Sequence, residues 1–235
     1  MQAPVPPTGR PIGAPPAFEV MSKPTGAICN LDCEYCFFLS KESLYPGSDF
    51  RMSDDLLELY ISQTIESQRS NHTTLVFQGG EPTMMGLPFF KRMVELVAKY
   101  RPPHMTIDLA LQTNGTLLTD EWCAFLKEHQ VLVGLSMDGP AEFHDRYRVD
   151  KGGKPTHARV LAAWERLRSH GVDTNILCTV NSANAEAPLE LYRYFRDSLG
   201  AEFLQFIPIV ERQGDDVTDR SVRGAQWGKF LNAIF

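Results

Sequence analysis

The sequence predicts an α/β domain on a curved, mostly parallel sheet, a partial (β/α)6 relative of the TIM barrel. Two observations carry this. Short apolar, β-branched runs alternate along the chain with longer segments of helical period, as βα units do. Several of the short runs are apolar nearly throughout, as strands covered on both faces are. Six right-handed βα units would leave the barrel incompletely closed, with its chemistry at the C-terminal ends of the strands. An open doubly wound sheet is the alternative, because strand order cannot be read from one sequence.

The elements follow in chain order. Residues 1–17 hold Pro4, Pro6, Pro7, Pro11, Pro15 and Pro16, which remove backbone donors and fix φ, so a flexible tail is expected there and one domain over 18–235. Strands are expected at 17–25, 73–78, 106–113, 131–138, 173–180 and 202–210. Ser53 caps a helix that begins DDLLELY, Thr119 precedes DEWCAFLKEH, and Thr156 precedes HARVLAAWERLRSH, which Gly171 stops. Pro188 opens the next helix and Gly200 lies just past its end. A last helix begins near Gly224.

Charge and composition exclude several partners. Lys plus Arg number 23 against 29 Asp plus Glu, a net charge of -6, so no positive field is available to attract nucleic acid. No apolar run approaches the ~20 residues that span a bilayer, and neither a membrane partner nor a secretory signal is expected; the expected location is cytoplasmic. Five cysteines in a reducing compartment point to metal binding or catalysis rather than a disulfide framework.

Three of the five crowd into CNLDCEYC as Cys29, Cys33 and Cys36, in the loop after the first strand. Structural zinc usually draws four ligands from two separated pairs, and Cys123 and Cys178 fall inside a helix and a strand. Electron-transfer clusters take four thiolates, so three imply one iron free to bind something else. Buried structural thiols would favour apolar surroundings, yet Asn30, Asp32 and Glu34 are interleaved among these. At the end of the second strand, Gly79 and Gly80 of FQGGEPTM free the backbone to approach a ligand, and the Glu81 carboxylate offers acceptors for an ammonium group; a plain strand-to-loop turn is the alternative. QTNG and SMDGP close the third and fourth strands with similar polar, glycine-bearing edges.

The spacing Cys29-x3-Cys33-x2-Cys36, with Tyr35 before the last cysteine, resembles the signature of the radical S-adenosylmethionine superfamily. Together with MSKPTGAICN, QGGEPT, LQTNGTLL, LVGLSMDGP, NILCTV and FLQFIP it is similar to the anaerobic sulfatase-maturating enzymes, from about residue 18 onward. The resemblance implies a radical SAM core holding one [4Fe-4S] cluster on three cysteines, with S-adenosyl-L-methionine chelating the open iron. It implies that Gly79, Gly80 and Glu81 meet the cofactor's amino group, that Gln78 and Ser136 meet its polar groups, and that Arg148 meets its carboxylate. It places Tyr35 in the adenine region and Leu204 on the adenine face. The implied chemistry is reductive cleavage to a 5'-deoxyadenosyl radical, which abstracts hydrogen from a cysteine or serine of an unfolded sulfatase peptide and leads to Cα-formylglycine. A small electron donor such as flavodoxin or ferredoxin is the implied redox partner.

Members of that family continue into a cysteine-rich domain with auxiliary clusters and a catalytic aspartate. The sequence given ends at Phe235, so the base is expected beyond it and complete turnover is an open expectation. Another peptide modification, or a non-catalytic cluster-binding remnant, are the alternatives. Arg148 could instead pair with Asp145 or Asp150 at the surface, and Tyr35 and Leu204 could be ordinary core. His72, His104, His129, His157 and His170 are expected to be solvated or capping, and for His144, close to Arg148, a cleft-lining role is the alternative to such a bland one; Phe37 or Phe38 is expected to shield the cluster.

Overall fold

The computed structural model describes residues 17–235; the expected proline-rich tail lies outside the described residues except for Ala17. Strands β1 (Met21–Ser22), β2 (His72–Phe77), β3 (Thr106–Thr113), β4 (Val131–Ser136), β5 (Thr174–Val180) and β6 (Leu204–Pro208) form one sheet in that order. Every neighbouring pair is parallel, from Met21 opposite Val76 to Val180 opposite Pro208. Strand order that follows chain order has no reversal point, which removes the doubly wound alternative. Strands β1 and β6 are the sheet's two edges, giving the incompletely closed barrel. A short antiparallel ribbon, β7 (Arg212–Gln213) with β8 (Asp216–Val217), follows β6.

The helices are α1 (Asp54–Ser67), α2 (Leu87–Tyr100), α3 (Asp120–Glu128), α4 (Ala141–His144), α5 (His157–Ser169), α6 (Pro188–Arg193) and α7 (Gly224–Ile234). Ser53 caps α1 by accepting from the Leu56 N–H, and Thr119 caps α3 by accepting from the Trp122 N–H. Helix α2 has no capping side chain to announce it. Its signal is the spacing of buried Leu87, Phe90, Met93 and Val97 along one face. Thr156 does not cap α5: the Thr156 and His157 N–H groups both donate to Asp145 Oδ1, at 2.8 Å each, which frees the Thr156 hydroxyl for other work. Helix α6 runs into a wider π turn over Tyr194–Ser198 before Gly200 ends it with φ of 65°.

Strand β3 matches its expected span, while β1 and β6 are shorter than expected because their outer residues make no ladder. The core lies between the sheet and the helices. Phe77 of β2 meets Phe90 at 5.6 Å between ring centres, Phe90 meets Trp122 at 5.2 Å, and all three are buried. Among the described residues no helix is long and apolar enough to cross a membrane. Phe77→Ala removes one ring of this buried cluster and is expected to cost about 3–5 kcal/mol in urea unfolding.

Candidate functional site

The cysteine loop has almost no regular structure and is held by its neighbours' backbones. On one side Gly26 O accepts from the Gly80 N–H and Ile28 O from the Glu81 N–H, both at 2.9 Å. On the other side the Asp32 N–H donates to Val149 O at 2.8 Å and the Glu34 N–H to Tyr147 O at 2.9 Å, beside an antiparallel bridge between Leu31 and Asp150. The two glycines of FQGGEPTM therefore have a structural task here. A Cβ on Gly80 would stand 1.9 Å from Ile28 O, so no other residue lets the two chains approach this closely.

Glu81 lies beneath this contact, buried. Its Oε1 accepts from the Thr83 N–H (3.0 Å), the Thr83 hydroxyl (2.6 Å) and the Thr113 hydroxyl (2.7 Å), and its Oε2 from the Asn114 N–H (2.8 Å). Burial pushes the carboxyl up and these donors hold it down. Asn114 in turn donates to Asn30 Oδ1 at 2.9 Å and reaches Cys29 Sγ at 3.7 Å, while Asn30 donates to the Thr116 hydroxyl at 2.8 Å. The ends of β1, β2 and β3 are thus tied into one polar network next to the first cysteine.

These loops enclose a cleft of about 480 Å³ at the C-terminal ends of the strands. Cys29, Cys33 and Cys36 line it with Tyr35, Gln78, Gly79, Gly80, Ser136 and Arg148, so all three expected metal ligands and six of the eight expected cofactor residues share one wall. Among the described residues no three of His, Cys, Asp and Glu are placed to grip a single metal ion. Three thiols on one cleft without a fourth protein ligand suit a cluster with an open iron better than structural zinc. Burial pushes the Cys29 thiol up to about 11 against the Leu31 N–H that donates to it, and burial also raises Cys33. A cluster would have to displace those protons on binding.

Beside Cys33 lies a buried charged group. Asp138, just past β4, is 0% exposed; its Oδ2 accepts from the Tyr35 hydroxyl and stands 2.9 Å from Arg148 Nε, and its Oδ1 accepts from the Thr179 N–H at 2.9 Å. Arg148 also donates to the Thr179 hydroxyl at 3.3 Å and lies over the Tyr35 ring at 5.5 Å. The partner of Arg148 is therefore Asp138, and Asp145 and Asp150 are engaged in other contacts. Burial raises the Tyr35 phenol well above its usual range, which keeps it a donor. Ser136 receives the Gln112 amide at 3.0 Å. Lys23 donates to Gln78 at 3.0 Å and sits 4.5 Å over the Phe38 ring, its pKa lowered by burial.

Several placements differ from the expectation. The Glu81 carboxylate is already occupied and lies behind the cleft wall. Leu204 opens β6 and packs on the core, whereas the catalytic edge is formed where that strand ends, by Ile207, Pro208 and Ile209. His144 stands behind Asp138, fully buried, its Nδ1 accepting from the Asp138 N–H at 3.2 Å. His157 is likewise buried, facing Tyr194 at 2.9 Å, while His72 and His170 pair with Asp108 and Asp120 at the surface. Phe37 and Phe38 both line the cleft. Sequence reasoning gave no role to Asp138, Thr179, Asn114 and Lys23. The signal for Asp138 was a single acid closing an apolar strand in SMDGP.

The radical SAM superfamily model matches residues 24–195. The chain belongs to the radical SAM superfamily. It is 45% identical over 233 residues to the serine-type anaerobic sulfatase-maturating enzyme of Bacteroides thetaiotaomicron, covering 92% of this chain and 56% of that protein. It is 38% identical over 225 residues to the cysteine-type enzyme of Clostridium perfringens, covering 94% of this chain and 60% of that one. The solved structure of native anSMEcpe with bound AdoMet and Cp18Cys peptide superposes with a TM-score of 0.82 at 37% identity, over 93% of this chain and 59% of that one. The chain thus spans less than two thirds of the relatives it matches.

Gly80→Ala is expected to detach the cysteine loop, read as faster amide hydrogen exchange at residues 28–36 while the strands β2 to β5 keep their protection. Burial also holds His144 well below the ordinary histidine range, and His157 below it. Because the unfolded chain binds those protons first, stability is whole above about pH 6.5 and falls as pH drops below it, and His144→Gln is expected to flatten that slope in urea unfolding.

Proposed function

We propose that this chain is the core of a sulfatase-maturating radical enzyme. In this proposal Cys29, Cys33 and Cys36 hold a single [4Fe-4S] cluster that leaves one iron for S-adenosylmethionine. The observation that carries it is the convergence of the three thiols, the Gly79–Gly80 edge and Arg148 on one cleft. When bound and reduced, the cluster and S-adenosylmethionine supply one-electron cleavage of a carbon–sulfur bond and the hydrogen abstraction that follows. The chain's own residues bind and orient. Gln78, Gly79 and Gly80 face the cofactor's amino end, Ser136 and Arg148 its polar groups and carboxylate, and Tyr35 the adenine region. Glu81 acts from behind, fixing the loops that present them. Phe38 and Ile209 give the cleft apolar lining beside these polar groups.

The substrate class proposed is an unfolded sulfatase peptide whose cysteine or serine becomes Cα-formylglycine. The similarity to both serine-type and cysteine-type enzymes supports the class and leaves the target side chain to experiment. A small flavodoxin- or ferredoxin-like protein is the proposed electron donor.

Anaerobic reconstitution with iron and sulfide is the test. Wild type is expected to retain a cluster that Cys29→Ala, Cys33→Ala and Cys36→Ala each lose, and to release 5'-deoxyadenosine under dithionite. Aldehyde trapping and mass spectrometry on sulfatase peptides carrying Cys or Ser, beside unrelated precursor peptides, identify the substrate. A cluster that survives all three changes contradicts the proposal, and a modified unrelated peptide with an unmodified sulfatase peptide contradicts the substrate class.

A further inference from the structure

Asp138 is a carboxylate with no exposure, and nothing in the family resemblance gave it a task. Two donors and one cation from three different elements converge on it: the Tyr35 hydroxyl from the cysteine loop and the Thr179 N–H from β5 donate to it, and Arg148 Nε from the segment after α4 forms an ion pair with it. Its backbone is held just as firmly. The Asp138 N–H donates to His144 Nδ1, which must therefore be the bare ring nitrogen, so Nε2 carries the proton and donates to the Thr156 hydroxyl at 3.0 Å. That hydroxyl donates to Arg148 O at 2.7 Å. Asp138 and Arg148 are thereby joined twice, once through their side chains and once through His144 and Thr156. Asn184 adds a bond to Asp138 O at 3.2 Å.

We propose that Asp138 is a positioning residue that aims the Arg148 guanidinium into the cleft for the carboxylate of S-adenosylmethionine. This rests on the proposal that Arg148 receives that carboxylate. The ion pair engages Arg148 at Nε, and Thr179 takes Nη2, so Nη1 is the end of the fork left for a ligand. Arg148 is only 7% exposed. Without the Asp138 charge it would be an uncompensated buried cation, and the open cleft offers it a way out into water. Neighbouring charges do not replace the carboxylate: Asp145 caps α5 and Asp150 pairs with Arg159 at 3.0 Å. The Tyr35 ring, under Arg148 and edge-on to Tyr147 at 6.1 Å, fixes the other side of the guanidinium.

Equilibrium binding to the reconstituted, iron-loaded protein tests this with two probes. S-adenosylmethionine carries the carboxylate, and methylthioadenosine keeps the adenosine and thioether without it. Asp138→Asn is expected to weaken S-adenosylmethionine by about tenfold, the worth of one hydrogen bond to a charged group, with methylthioadenosine unchanged. Arg148→Met is expected to show the same selectivity, and the double variant to be no weaker than Arg148→Met alone. If Arg148→Met leaves S-adenosylmethionine binding intact, the role of Arg148 is wrong. If Arg148→Met loses it while Asp138→Asn does not, or Asp138→Asn weakens both probes alike, the role of Asp138 is wrong. Should Asp138→Asn fail to fold, His144→Gln keeps the carboxylate but loosens its backbone, and an unselective effect there overturns the proposal equally.

Discussion

The site depends on the contact between two pieces of backbone, residues 26–28 entering the cysteine loop and residues 80–81 leaving β2. Two hydrogen bonds of 2.9 Å and the absence of a side chain at Gly80 bring them together. A loop with three thiols and alternating polar residues cannot bury enough apolar surface to order itself. It is ordered because its carbonyls and N–H groups are taken up by the strand ends on either side. Pairing with the segment around Val149 completes the clamp, so the spacing of Cys29, Cys33 and Cys36 is set by the sheet and not by the loop.

The cleft is built on opposed electrostatic conditions. Burial makes the thiolate form costly at Cys29 and Cys33, so these groups hold their protons until a metal displaces them. Next to Cys33, a buried carboxylate and guanidinium neutralise each other in one network with Tyr35 and Thr179. Either charge alone would be expensive there, and together they form a fixed polar wall. His144 stays neutral because burial disfavours its charged form, with Arg148 nearby adding to the effect. Lys23, stacked on Phe38, adds a cation at the rim.

Much of the fold was legible because periodicity and punctuation are local. The strand β3 ran as read, and Ser53 and Thr119 capped the helices they preceded. Helix α2 lacked a capping side chain, and the α5 cap came from Asp145, eleven residues upstream of Thr156. The position of the cleft was legible at the cysteines and Gly79–Gly80, which line it together. It was not legible where a side chain acts through the fold. Glu81 reads as a ligand from its motif, but its four donors, partly from a strand some thirty residues on, could not be read from its neighbours in sequence. Arg148 has two acids nearby in sequence and pairs instead with Asp138, brought to it by the turn through α4. Leu204 sits at the start of a strand whose end forms the cleft, a distinction of one strand length that register alone decides.

The central claim is that the protein holds its cluster by three sulfurs and leaves one iron for S-adenosylmethionine. Electron paramagnetic resonance of the reduced, reconstituted protein before and after adding S-adenosylmethionine tests it most directly. The cluster signal is expected to change when the ligand is added, and Arg148→Met to raise the concentration needed. A signal that stays the same at saturating ligand would contradict it.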